Sequence, residues 1–477
     1  MLILPDILLC LLPFVVLAAD LFFNPRHDFK PGYRAAWAGL LVVFLVQCFA
    51  PHGASGLYLG GFRIAPWSLL LKQIFVAGAL ATAWLSAPYF ENRLEHPRLT
   101  RGGEFFTMLT FCVTGMSVVV SSQDLVTLFV GLELATIPLY VMTAFYRTEE
   151  PSPEAAMKYI VVGSLATALI LFGYSLFYGA VGRLDFASLA AFAAAHPDDK
   201  LLIGGALFVL TAVGFKLAMA PFHMWAPDVY DGAPTPVTAF ISTGSKSAAL
   251  GFLILVFCGP LEPLRVMFAP LFAALAAISM LVGNLGALSQ VNFRRFMAYS
   301  SIAQVGYVLL AFLAAREFAA GAVIYYAAIY LVGNMAAFFV FSAVGRERTE
   351  ELASLRGLSR SNPALAAALM LSMFSLAGVP PLAGFTGKFM LFSAAAAAGR
   401  NGLVLFAALN SVASLYYYMI VIKEAYISEP QTIQPPVIST PATNRILALA
   451  TAGLLLLGLC PAFNNLVFRA VGVLALR

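Results

Sequence analysis

Apolar runs of about 20 residues, the length at which an α-helix crosses a bilayer, recur along the whole sequence. In hydrocarbon every backbone N–H and C=O must find a partner inside the protein, so such runs fold as helices. The alternating segments of about 10 residues that build an outer-membrane barrel do not occur in the sequence. Composition agrees, with 61% apolar and 11% charged residues, against roughly 45–50% and about 25% in soluble domains. The fold class is therefore an all-α membrane protein that crosses the bilayer many times.

Hydropathy windows of helix length give about fourteen spans. They are Leu2–Phe23, Ala35–Ala50, Trp67–Ala87, Phe105–Val120, Leu125–Tyr146, Ala156–Gly179, Leu201–Tyr230, Pro236–Phe257, Val266–Leu288, Phe296–Ala314, Phe318–Val344, Ala364–Ala398, Leu403–Tyr426 and Ile446–Leu476. Met1 to Cys10 is apolar with no basic stretch ahead of it, so it reads as the first span and not as a cleaved leader. The seventh and twelfth segments are too long for one plain helix. Pro221 and Pro227 are expected to interrupt the seventh, Gly378-Val379-Pro380-Pro381 the twelfth, and Pro461 to bend the last.

With the N-terminus outside, the inner loops hold fifteen Lys/Arg, including Arg26, Arg93, Arg98, Arg101, Arg147, Arg346 and Arg348, against eight in the outer loops and tail. The positive-inside rule then puts both termini on the outer side. Topology accounts for the net charge of +5, and no basic cluster with interleaved aromatics points to nucleic acid. The five cysteines stand far apart with no CxxC pair, and His27, His52, His96, His196 and His223 show no metal- or haem-binding spacing. Neither a nucleotide-binding GxxxxGK[ST] nor a GxGxxG after a strand occurs. The chain itself should carry no redox cofactor and no metal.

Of the twenty-eight basic residues, five fall inside apolar segments, and all are lysines: Lys72, Lys158, Lys216, Lys246 and Lys388. Lys72, close to a span start, reads as an anchor whose long side chain snorkels to the interface. Lys158 has Glu154 four residues earlier, a favourable surface spacing. Among the acids only Glu133 stands deep in a span, with Asp6 and Asp20 flanking the first helix. A central charge costs roughly 2.5–3.5 kcal/mol to insert, so Glu133 should have a basic partner among Lys158, Lys216 and Lys246. Burial lowers a lysine pKa and a nearby carboxylate raises it, so lysine can take up and release a proton where arginine stays charged. The bland alternative is a static Glu–Lys pair that fixes helix packing.

Lys216 and Lys388 each stand beside a proline-interrupted helix. Corresponding breaks five helices apart suggest two five-helix repeats of inverted topology. This divides the chain into N-terminal helices (1–103), a first repeat (104–257), a second repeat (266–427) and a C-terminal loop and helix (428–477). Freed backbone groups at such breaks can hold the water that a proton path needs.

Gly131-Leu132-Glu133-Leu134-Ala135-Thr136-Ile137-Pro138-Leu139-Tyr140, Pro221-Phe222-His223-Met224-Trp225-Ala226-Pro227-Asp228, Ala233-Pro234-Thr235-Pro236-Val237 and Tyr299-Ser300-Ser301-Ile302-Ala303-Gln304-Val305-Gly306-Tyr307 together resemble the antiporter-like membrane subunits of respiratory complex I, the NADH-quinone oxidoreductase. The resemblance covers nearly the whole chain. A lysine at 388 is similar to the L and N branches and unlike the M branch, which has glutamate. The length of the chain is likewise expected of the N branch, since the L branch carries a long C-terminal lateral helix beyond this number of residues.

The resemblance implies Glu133 and Lys216 as a pair, Lys246 as a connecting lysine and Lys388 as the terminal lysine, with His223 and Gln304 on a water-lined connection and Lys158 as a provisional member. Related chains often carry histidine where Gln304 stands. Glutamine cannot titrate, so that link must use water, Lys246 or neighbouring hydroxyls. It further implies a bacterial inner-membrane location, other membrane subunits as partners, flavin and iron–sulfur clusters confined to partner subunits, and proton movement coupled to quinone reduction elsewhere. A subunit of a cation/proton antiporter, sharing fold and lysines, is the alternative.

Overall fold

The computed structural model describes residues 2–23, 29–51, 55–58, 61–91, 102–146, 151–345, 351–429, 437, 439 and 441–472. The loop cations Arg26, Arg93, Arg98, Arg101, Arg147, Arg346 and Arg348, with His27, His52, His96 and both chain ends, lie outside the described residues.

The chain runs through α1 (Leu4–Phe23), α2 (Lys30–Phe49), a hairpin of β1 (Gly56–Tyr58) and β2 (Phe62–Ile64), α3 (Pro66–Glu91), α4 (Gly102–Val119), α5 (Leu125–Thr143), α6 (Pro151–Val181), α7 (Phe186–Ala195) and α8 (Lys200–Leu217). It continues through α9 (Trp225–Gly232), α10 (Thr235–Phe240), α11 (Lys246–Phe257), α12 (Arg265–Leu288), α13 (Phe293–Leu309), α14 (Arg316–Gly345) and α15 (Leu358–Ser361). The last helices are α16 (Pro363–Ala377), α17 (Ala383–Ala397), α18 (Asn401–Tyr426), α19 (Pro441–Leu459) and α20 (Ala462–Gly472).

Among the described residues twelve spans are long and apolar enough to cross a membrane, and the pair Thr443–Leu459 and Ala462–Gly472, bent by 70°, makes a thirteenth. The bend falls at Cys460-Pro461, where proline cannot continue the helix. The predicted Ala364–Ala398 segment folds as two helices of 15 residues each, too short to qualify singly.

Two features correct the sequence reading of the connections. The hairpin and the short helix α7 were not anticipated, the latter set off by Asp185, whose side chain accepts the Ser188 N–H. In the seventh segment only Pro221 marks a break. Pro227 lies in the first turn of α9, where the missing N–H has no intrahelical acceptor to lose.

The chain forms two compact units. The first comprises Met1–Leu217, Gly232–Phe268 and Val467–Arg477, the second Ala218–Asp231 and Ala269–Leu466. In the first, α4 approaches α5 so closely that a Cβ on Gly115 would stand 2.6 Å from the Leu134 carbonyl carbon and 2.7 Å from the Gly131 oxygen. Small residues let transmembrane helices pack at this distance, and here the contact fixes α5 beside Glu133. The Asp124 side chain caps α5 by accepting the Thr127 N–H at 2.7 Å, meeting one of the orphan donors at a helix start. In the second unit Asn292 caps α13 and Asn362 caps α16 in the same way. Large exposed apolar side chains such as Phe22 and Phe49 face outward, as lipid contact requires.

Candidate functional site

In the first unit, the charged residues address one stripe of α5. Glu133, Thr136 and Tyr140 recur at i, i+3 and i+7, so they share a helix face. The Glu133 carboxylate accepts a hydrogen bond from Thr167 of α6 at 2.8 Å. Lys216, in the last turn of α8, donates to the Thr136 hydroxyl at 3.2 Å and stands 6.0 Å from the Tyr140 ring centre. Each charge is thus held by a hydroxyl, while Glu133 acts on Lys216 electrostatically. The buried Tyr140 hydroxyl has no hydrogen-bond partner among the described residues.

The stripe extends through side chains. Tyr140 meets Tyr159 of α6 edge to face at 4.8 Å, and Tyr159 is hydrogen-bonded with Ser245, the residue before Lys246. Lys246 is 3% exposed and opens α11 directly after a π-helical turn, Ile241–Ser245. Such wide turns re-aim the side chains around them and are frequent at functional sites.

In the second unit the break at Gly378 organises the chemistry. Gly378 takes φ +89°, a conformation that only glycine adopts freely, and closes α16 with its own N–H bonded to Phe374 and that of Val379 to the same carbonyl. The last carbonyls of α16 carry the negative end of the helix dipole. Lys388, 3% exposed and in the second turn of α17, reaches back to them. Its Nζ donates to the Ala377 oxygen at 2.9 Å and to Ser411 and Ser414 of α18 at 3.1 and 3.5 Å, beneath the Tyr307 ring at 4.6 Å.

The neighbouring carbonyl, Leu376, accepts from Gln304 Nε2 at 3.0 Å. That nitrogen also donates to the Tyr418 hydroxyl at 3.1 Å, and the Gln304 oxygen accepts from Tyr326. Tyr418 in turn shares a 2.5 Å hydrogen bond with Ser300. Hydroxyls therefore surround the residue that cannot titrate. A second set of amides and hydroxyls, Asn284 with Tyr307, Tyr417 and Asn410, lies alongside.

Each break satisfies a freed N–H with a serine: Ala220 donates to Ser279 at 2.9 Å and Gly384 to Ser375 at 3.2 Å. His223 lies near the end of the first break, its Nδ1 buried and without a well-aligned hydrogen bond among the described residues. The lysines sit on opposite sides of their breaks, Lys216 before and Lys388 after. A Cβ on Gly378 would stand 2.9 Å from Lys388 Cδ. Gly378→Ala should therefore cost about 1–2 kcal/mol in backbone strain and push Lys388 off the α16 carbonyls. A lowered thermal midpoint together with reduced lysine-dependent activity would register it.

Two lysines depart from expectation. Lys158 does not join the Glu133 cluster: it is on the exposed face of α6, paired with Glu154 at 2.8 Å with 43% of its side chain accessible, as its position in the opening turns of the helix dictates. Lys72 does not snorkel. It is 1% exposed, and its Nζ binds both oxygens of Asp6 at 2.8 and 2.9 Å. Glu133 is therefore not the one deep acid, because Asp6, in the first turn of α1, is 7% exposed. The sequence signal was available in principle: an acid and a lysine each a few residues into spans that start on the same side.

Among the described residues no group of three or more His, Cys, Asp or Glu could hold a metal. Residues 122–414 match the family described as NADH:quinone oxidoreductase/Mrp antiporter, transmembrane. The chain is 38% identical over 438 residues to the NADH-quinone oxidoreductase subunit N of Moorella thermoacetica, covering 92% of this chain and 91% of that one. It is 40% identical over 400 residues to the subunit N of Paramagnetospirillum magneticum, covering 82% and 80%. A chain of respiratory complex I from Thermus thermophilus superposes with a TM-score of 0.81 at 32% identity, over 96% of this chain and 97% of that one. A chain of the Mrp complex from Dietzia sp. shares the fold, with a TM-score of 0.84 at 20% identity over 99% and 97%. The chain thus belongs to the NADH:quinone oxidoreductase/Mrp antiporter transmembrane family, in its subunit N branch.

Proposed function

We propose that this chain is a proton-translocating membrane subunit of an NADH-quinone oxidoreductase, moving protons through buried Glu/Lys/water relays driven by quinone reduction in other subunits. The observation that carries the reading is the α5 stripe, where Glu133 and Lys216 are each bound to a hydroxyl and not locked to one another. A static packing pair would join the two charges directly. With hydroxyl partners, Lys216 can release its proton and keep an acceptor for its amine, and Glu133 can receive one. The unpartnered Tyr140 hydroxyl is a group that bridging water satisfies.

Protons then pass along Tyr159 and Ser245 toward Lys246. In the second unit, Lys388 and the hydroxyls around Gln304 form the corresponding relay, and the two relays belong to the inverted five-helix repeats 104–257 and 266–427. The partners are the other membrane subunits of the complex, and the chain lies in a bacterial inner membrane with both termini on the outer side. Flavin and iron–sulfur clusters belong to partner subunits.

Glu133→Ala and Lys216→Ala, each in the assembled complex in membrane vesicles, should lose half or more of the NADH-driven proton uptake per NADH oxidised. Normal uptake by both variants would sink the relay. Relatives at 36–40% identity that bear the subunit N name favour the redox-driven complex over a cation/proton antiporter. Na⁺-dependent exchange by a preparation free of flavin and iron–sulfur subunits would reverse that choice.

A further inference from the structure

The Asp6–Lys72 pair is absent from the relay just described and lies outside the matched residues 122–414. It joins three helices of the first unit. Lys72 of α3 holds both Asp6 oxygens, and Ser117 of α4 donates to Asp6 Oδ1 at 2.5 Å. The third face of the ammonium is covered by the Phe62 ring, 5.0 Å away. Phe62 belongs to the hairpin, which is fastened over this end of the bundle by Arg63 N–H to Ser121 at 2.7 Å and Gln123 N–H to Gly61 at 3.0 Å.

A buried ion pair is a poor device for stability, because desolvation offsets most of its attraction and apolar residues of similar volume often do as well. This pair also leads somewhere. Ser117 is the last of four buried hydroxyls, Thr107, Thr110, Thr114 and Ser117, on one face of α4. Their spacing of three, four and three residues keeps them aligned over about 15 Å of helix. Thr114 donates across to the Leu9 carbonyl of α1 at 2.9 Å. At the far end Asp20 packs against Gly103, where a Cβ would collide with its carboxylate.

We propose that Asp6, Lys72 and Ser117 form a further proton-exchange site, connected along the α4 hydroxyls toward Asp20. The inference rests on the proton-translocating reading above. In one cycle the Lys72 ammonium releases its proton on the hairpin side, leaving a neutral amine beside the Asp6 carboxylate. Ser117 gives the hydroxyl proton it already directs at Asp6 to that carboxylate and takes a replacement from the Thr114 side. The Asp6 acid then passes its proton to the Lys72 amine, so one proton has moved from the Asp20 side to the hairpin side and the pair is again an ammonium and a carboxylate.

The test is the double variant Asp6→Leu/Lys72→Met in the full complex in NADH-energised vesicles, read as proton uptake per NADH oxidised. A packing role predicts full uptake, since volume is kept and no charge is left alone. The proposal predicts a loss of half or more, and full uptake overturns it. Ser117→Ala leaves the ion pair in place and covers the case in which the double variant fails to assemble. Lowered uptake per NADH supports the site, and unchanged uptake overturns it. Lys216→Ala is run in parallel: normal uptake there would bring down the general proton-relay reading, whereas loss there with full uptake in the other variants removes this site alone.

Discussion

Lys388→Ala should lose half or more of NADH-driven proton uptake per NADH oxidised while the complex still assembles. The argument lies in the partners of the ammonium. Lys388 donates to a backbone carbonyl and two serines, so removing it strands no buried counter-charge of the kind that makes truncation of an ion pair so damaging. Ser411 also donates to the Ala377 oxygen at 3.3 Å, so the end of α16 keeps a donor. The variant loses the titratable group and little else.

Lys388→Arg sharpens the point. Arginine retains the charge for the α16 carbonyls but does not give up its proton at any accessible pH. If a fixed charge were all the site needs, uptake would survive. The relay predicts that uptake falls as in the alanine variant. Vesicle acidification with a pH-sensitive dye, normalised to NADH oxidised, decides the matter.

Lys72→Ala should behave in the opposite way, acting on stability first. It leaves the Asp6 carboxylate buried with a hydrogen bond from Ser117 but without its counter-charge, and breaking a buried pair from one side costs about 3–5 kcal/mol. The expected result is a clearly lower thermal midpoint in detergent and less assembled complex in membranes. Asp6→Leu added to Lys72→Ala should recover much of the loss by removing the stranded charge. No recovery would mean that Lys72 stabilises the bundle through its aliphatic packing.

Those contrasting outcomes trace to how differently the two lysines could be read. Span positions were legible because bilayer thickness and backbone hydrogen bonding leave a chain little choice, and α8, α16 and α19 end where Pro221, Gly378-Val379-Pro380-Pro381 and Pro461 foretell. Lys216, Lys246 and Lys388 stood out as charges in apolar runs. Asp6–Lys72 did not, because its halves are 66 residues apart and each lies near a span end, where hydropathy has no power to tell an interface anchor from a buried pair. The hydroxyls around Gln304 were invisible for another reason. Tyr326, Tyr418 and Ser300 cost little to place in a helix, so only tertiary packing reveals that they converge. The exposed side chain of Lys158 reflects its place beside Glu154 near the helix start, which sequence spacing had already suggested.

The α5 stripe carries a consequence for how such a helix can change. Glu133, Thr136 and Tyr140 are aligned only because a helix turns about 100° per residue, with 3.6 residues in each turn. Inserting or deleting one residue within this stretch would swing Tyr140, and with it the contact to Tyr159, a quarter-turn or more away from Glu133. Many single substitutions on the opposite face would leave the alignment untouched. Chain length in this stretch is therefore held more rigidly than residue identity, and lineages should show exchange of side chains here but no gaps.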